Sequence, residues 1–233
     1  MKNDAEYKTF LFISLKKLIL VVLDSDQKNI FKKELLIENF SNELNLNRIN
    51  DFLGKYIFDI EKILKGFVNN IFLIIDHEDF LSIGVSLKKN LNKEKINIKN
   101  INNLLIEAKD QCKESLEKYN IVHMKIDKYI IDDLSYSILP KELFCDYFSL
   151  DVNFICLSKN LIKDLENILK NYQISISRII SYRYLLGFLD SEQEDIFHLA
   201  EKILNGYNHN EVVLVNKTHK NKGFFEKFFN FFT

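Results

Sequence analysis

Tryptophan is absent from this 233-residue chain, proline occurs once, and glycine occurs six times, nowhere in a cluster. Nucleotide phosphates are held by close backbone approach, which glycine-rich loops supply, so this scarcity argues against a phosphate-cradling loop. Cysteine is equally sparse. Cys112, Cys145 and Cys156 are odd in number and far apart, with no CxxC pair, which indicates neither a disulfide framework nor a zinc site and suits a reducing compartment. No charge of one sign dominates: 32 Lys and Arg stand against 33 Asp and Glu, a net charge of -1. There is no overall pull toward nucleic acid or an acidic substrate, and charge-driven binding has to be local. Apolar runs of about 18 residues, as a spanning helix needs, are also missing. The run from Phe10 to Leu23 is split by Lys16 and Lys17, and the opening MKNDAEYKTF is unlike a signal peptide. The expectation is a cytoplasmic chain whose membrane contact is peripheral, on the inner face of the cell membrane.

What is present is an ordinary globular balance, 47% hydrophobic and 28% charged. Phe10 to Leu15, Lys17 to Leu23 and Ile30 to Ile37 are short runs dense in β-favouring residues, and predict three strands joined by tight turns. From Leu44 to Leu64 apolar residues recur at helical spacing, with Gly66 as the expected C-cap. Strands follow at Ile71 to Ile75 and Leu81 to Leu87. The Asn- and Lys-rich stretch Lys88 to Asn103 reads as solvated and as the best domain boundary. Beyond it the pattern predicts a helix over Ile101 to Tyr119, a strand over Ile121 to Tyr129, a turn at Asp132-Asp133, and strands at Leu143 to Phe148 and Asp151 to Leu157. A helix over Leu161 to Tyr172, a strand over Ser175 to Ile180, a helix over Glu194 to Leu204 and a strand over Glu211 to Val215 complete it. The fold class expected is mixed α+β.

The last eleven residues, GFFEKFFNFFT, carry the most information about function. Placed on a helix, Phe224, Phe225, Phe228, Phe229, Phe231 and Phe232 fall within an arc of about 160°, leaving Glu226, Lys227, Asn230 and Thr233 on the other side. Lys220, Lys222 and Lys227 make the surroundings basic, which favours an anionic lipid surface. The nine residues expected to bind membrane are these six phenylalanines and three lysines. The competing expectation is a terminal helix that docks in a protein groove.

The order of elements, with IVHMKIDKYIIDD at Ile121 to Asp133, Pro140, and ISISRIISYRYLLGFL ending at Leu189, resembles the FtsA family. These are bacterial cell-division proteins, actin-like membrane anchors for the division polymer FtsZ. The resemblance implies part of an actin-like lobe with an inserted α+β subdomain and a C-terminal amphipathic helix. Residues 1–90 would be a reduced actin-like subdomain, 91–189 the inserted interaction module, 190–215 the return to the actin-like subdomain, and 216–233 the linker and membrane-targeting tail. It also implies FtsZ or other divisome proteins as partners, with self-association possible. A pilus-assembly relative of the same superfamily, or a soluble interaction protein, is the alternative.

The phosphate loops of that family are not kept. A first loop of Leu-Asp-Ile-Gly-Ser-Ser-Lys type falls on Leu11 to Lys17, where Phe12 replaces the metal-facing Asp and Ser14 the Gly. A second, glycine-rich loop would fall at Asp190 to Gln193. No cofactor, metal, catalytic residue or nucleic-acid partner is therefore expected. His77-Glu78-Asp79, Asp132-Asp133 and Asp24-Ser25-Asp26 read as turns, His123 as a half-buried strand residue, and His198 as a helix residue without a partner set. Cys145 and Cys156 read as small buried thiols.

Overall fold

The computed structural model describes residues 7–38, 42–140, 143–189 and 194–212. Three strands open it: β1 (Lys8–Ser14), β2 (Lys17–Leu23) and β3 (Asn29–Leu36), an antiparallel meander. Helix α1 (Leu46–Leu64) then carries the chain across to β4 (Asn70–Asp76), which lies parallel to β1. Much later β9 (Ser175–Ser181) joins β4, also in parallel, so the first sheet has the order β3-β2-β1-β4-β9. Between β4 and β9 the chain builds a second sheet from β5 (Leu81–Lys95), β6 (Tyr119–Ile131), β7 (Leu134–Tyr136) and β8 (Phe144–Ser158), in the order β5-β8-β6-β7.

Both faces of the first sheet are covered, and this explains its unbroken apolar strands. Leu11, Ile13, Leu18, Leu20 and Val22 pack against α1 and against α3 (Lys159–Lys170). Phe10, Phe12, Ile19, Val21 and Leu23 pack against α4 (Tyr182–Leu186) and α5 (Ile196–Leu204). The second sheet is covered on one face by α2 (Ile98–Gln111), through Ile101, Leu104, Leu105 and Ala108 over Met124, Ile126, Leu150 and Val152. Its strands alternate accordingly.

Local chemistry sets the helix ends. Asn45 and Asn97 accept N–H bonds from Arg48 and Asn100 at 3.0 and 2.9 Å, and Asp195 accepts from Phe197 at 2.8 Å. The left-handed residue that closes α1 is Lys65 (φ 52), one place before the expected Gly66. Asp132 and Asp133 both take positive φ (45 and 67) at the tip of the β6–β7 hairpin, as a tight two-residue turn requires.

Four expectations change. The stretch Lys88 to Asn103 is not a solvated connector: β5 runs through it to Lys95 and α2 begins at Ile98. Its lysines and asparagines sit on an edge strand with one covered face, where only Leu87 and Leu91 need to be buried. A bulge with positive φ at Asn92 and Lys93 (51 and 65) lets the strand continue. The two strands expected at Leu143 to Leu157 are one, β8, and the helix expected over Ile101 to Tyr119 stops at Gln111. Of the strand expected at Glu211 to Val215, an isolated bridge between Glu211 and Lys125 is seen, and 213–215 lie outside the described residues.

Candidate functional site

Among the described residues, a cluster of buried and half-buried ionisable groups lies at the seam between the two sheets. His123 projects from β6, Arg178 from β9, Tyr184 from α4, and Glu211 from a short strap that follows α5. Gly206, at φ 86, turns the chain out of α5 and into this strap. The strap is fastened to the free edge of β6 by backbone bonds, Ile126 N–H to Asn210 O at 2.9 Å and Val212 N–H to Met124 O at 2.7 Å. Asn210 adds a side-chain bond to Ser137 O at 2.7 Å and receives one from the Tyr129 hydroxyl at 3.4 Å. Burial pushes the Tyr129 phenol up to about 12, so it remains a donor at neutral pH.

Glu211 is the hub. One of its oxygens, Oε1, accepts from His123 Nδ1 at 2.7 Å and from Arg178 Nη2, and the Tyr184 hydroxyl bonds the carboxylate as well. The other ring nitrogen of His123, Nε2, accepts from the Ser181 N–H at 3.0 Å. That bond fixes the neutral tautomer with its proton on Nδ1, directed at Glu211. The ring stacks on Tyr184 with centroids 4.0 Å apart, and Asn208 Nδ2 donates to the Tyr184 hydroxyl at 2.7 Å.

The protonation states follow from these contacts. Burial holds His123 below its ordinary pKa, against the opposing pull of Glu211. Burial raises Glu211, but the bonds from His123 and Tyr184 and the Arg178 charge outweigh it and leave the group below the usual carboxylate range. Tyr184 is pushed up, first by burial and then by the Glu211 charge. The cluster is thus a neutral histidine and a carboxylate–guanidinium pair, with every partner satisfied. With both nitrogens engaged and the ring buried, His123 has no free lone pair to act as a base. The arrangement clamps strap, β6, β9 and α4 together.

Sequence reasoning read His123 as half-buried, and burial is in fact complete. Glu211, Arg178 and Tyr184 were not singled out, since positions 88 and 33 residues apart give no local signal. The turn expected to replace a phosphate loop is closed on itself. Ser14 Oγ accepts from the N–H groups of Lys16 and Lys17 at 3.3 and 3.0 Å and donates to Lys17 O at 3.1 Å. Phe12 is buried with its ring edge-on to Tyr182, centroids 5.2 Å apart. Residues 190–193, the place of the second loop, lie outside the described residues, as do Lys220, Lys222, Phe224, Phe225, Lys227, Phe228, Phe229, Phe231 and Phe232.

His77-Glu78-Asp79 forms the expected turn, with the Asp79 N–H donating to His77 Nδ1 at 3.2 Å. Asp24 likewise closes its own turn through the N–H groups of Asp26 and Lys28. His198 contacts Gln27 O and lies 3.8 Å from Asp195. Among the described residues no group of three or more His, Cys, Asp or Glu could hold a metal, and no helix is long and apolar enough to cross a membrane. All three cysteines are free and buried.

No protein-family model and no curated protein matches the chain. Solved structures that are similar in part include the following two. One is a PilM-PilN type IV pilus biogenesis complex, at 7% identity and a TM-score of 0.43, covering 76% of this chain and 48% of that one. The other is a Bacteroides thetaiotaomicron protein with an actin-like ATPase fold, at 13% identity and a TM-score of 0.34, covering 80% of this chain and 57% of that one. The chain thus spans about half the length of either neighbour.

Proposed function

We propose that the chain is a nucleotide-free, FtsA-like tether that holds a protein partner, FtsZ or another division protein, at the inner face of an anionic membrane. The observation that carries the actin-like part is the first sheet, an antiparallel meander of three strands extended by two parallel ones, with the second sheet built between β4 and β9. A nucleotide-free site is supported by the turn at Ser14 to Lys17, whose N–H groups are already bonded to Ser14, and by the Phe12 ring in place of a carboxylate. The membrane part is supported by the sequence of the tail, where burial of each phenylalanine contributes roughly 1.5 to 3 kcal/mol. The second sheet with α2 is the part assigned to the partner.

Co-sedimentation with anionic vesicles tests the tether. Full-length chain pellets with the vesicles, a truncation after Asn216 stays in solution, and Phe228→Glu with Phe229→Glu loses binding. Salt weakens binding without abolishing it, because lysine attraction is screened and ring burial is not. If the truncated chain pellets as well as the full one, the tail is a docking helix and the membrane reading fails. Calorimetry with ATP and magnesium shows no heat of binding; a micromolar dissociation constant overturns the nucleotide-free assignment.

A further inference from the structure

The second sheet ends on β5, which has no strand on its outer side among the described residues. From Leu81 to Asn90 every residue pairs with β8 on the inner side. In an antiparallel edge strand the alternate N–H and C=O groups point outward, ready to pair with another chain. The side chains repeat this. On the α2 side Leu81, Ile83 and Val85 are half-buried, whereas their register partners on β8, Cys156, Phe154 and Val152, are fully buried. What β5 lacks is an apolar neighbour at its outer edge.

Charge selects the neighbour. Lys88, Lys89 and Lys93 make this strand basic, with Glu94 as its one acidic residue. Lys88 leans inward over the open face of the sheet, its ammonium 4.2 Å from the centroid of the Tyr147 ring on β8, while Lys89 lies on the α2 side of the strand. Such an edge repels a second copy of itself, since like charges across strands are destabilising, and favours a strand of opposite sign.

We propose that the outer edge of β5 takes up an extended acidic segment of the partner protein as an added strand. Alternate apolar side chains of that segment cover Ile83 and Val85, and its carboxylates meet the lysines. The inference rests on assigning the second sheet to the partner, and it names the chemistry of what binds there.

The test titrates full-length protein into a labelled peptide of alternating valine and glutamate and follows fluorescence anisotropy. Two controls accompany it: the same peptide N-methylated at alternate residues, and a valine–lysine peptide. The valine–glutamate peptide alone binds, more weakly as salt rises, and Lys88→Glu with Lys89→Glu weakens it about tenfold. Circular dichroism checks that the variant is folded, and the N-methylated control needs no variant. Absence of binding, or equal binding of either control, overturns the edge site. Vesicle co-sedimentation of the same sample separates the two claims: a protein that still pellets while ignoring the peptide keeps its membrane role and loses this site.

Discussion

The two sheets bury their residues in opposite ways. In the first, β1 and β2 are apolar at nearly every position because helices lie on both faces. In the second, one helix covers one face, β5 and β8 alternate, and lysine, serine and asparagine occupy the open side. The first sheet is built to be a foundation, and the second leaves a face and an edge for something else. The seam between them carries the buried charges.

That contrast is broken most severely at a two-sided position. Leu20→Ala, in the buried middle of β2, lowers stability by about 3 kcal/mol, whereas Ser82→Ala on the open face of β5 costs less than about 0.5 kcal/mol; urea unfolding reads both. A comparable cost for the two substitutions denies the asymmetry.

The seam comes next. Glu211→Ala leaves Arg178 and His123 without their shared acceptor and destabilises by about 3 kcal/mol. The loss is smaller if Arg178 is replaced by Met in the same chain, and a double-mutant cycle measures that coupling. Additive losses contradict the clamp.

Acid acts on the same cluster. His123 titrates below its ordinary 6.5 and Glu211 below its ordinary 4.5, so in each case the unfolded chain takes up protons at a higher pH than the folded one. Stability is then full above about pH 6.5, declines as pH falls through the histidine window, and declines again below about 4.5. His123→Gln removes the first decline. Thermal unfolding across this range decides, and a wild-type curve flat between pH 7 and 5 contradicts the neutral histidine.

Smallest in effect are the thiols. Burial pushes Cys156 up to about 11 and also raises Cys112 and Cys145. A thiolate-selective disulfide reagent should leave the folded protein unmodified over the time in which it labels the unfolded chain fully. Prompt reaction of one thiol in native protein places that cysteine at an accessible surface instead.

Much of the fold was legible because periodicity reports burial. The apolar runs at Phe10 to Leu23 marked strands β1 and β2, and the helical spacing after Leu44 marked α1 to within two residues. The edge was misread because composition alone cannot separate a solvated loop from an edge strand: Lys88 and Asn90 suit both, and only pairing with β8 decides. The clamp was illegible for another reason. His123, Arg178, Tyr184 and Glu211 meet only through tertiary structure, and each looks ordinary in its own neighbourhood.

A tether must hold membrane and partner at once, and a flotation assay reads this directly. Anionic vesicles are mixed with full-length protein and the labelled valine–glutamate peptide, then separated by density. The account predicts that the peptide rises with the vesicles when the full chain is present, and stays behind with the truncation after Asn216 or with Lys88→Glu and Lys89→Glu. Protein that rises while the peptide remains below, with the peptide otherwise bound in solution, contradicts it.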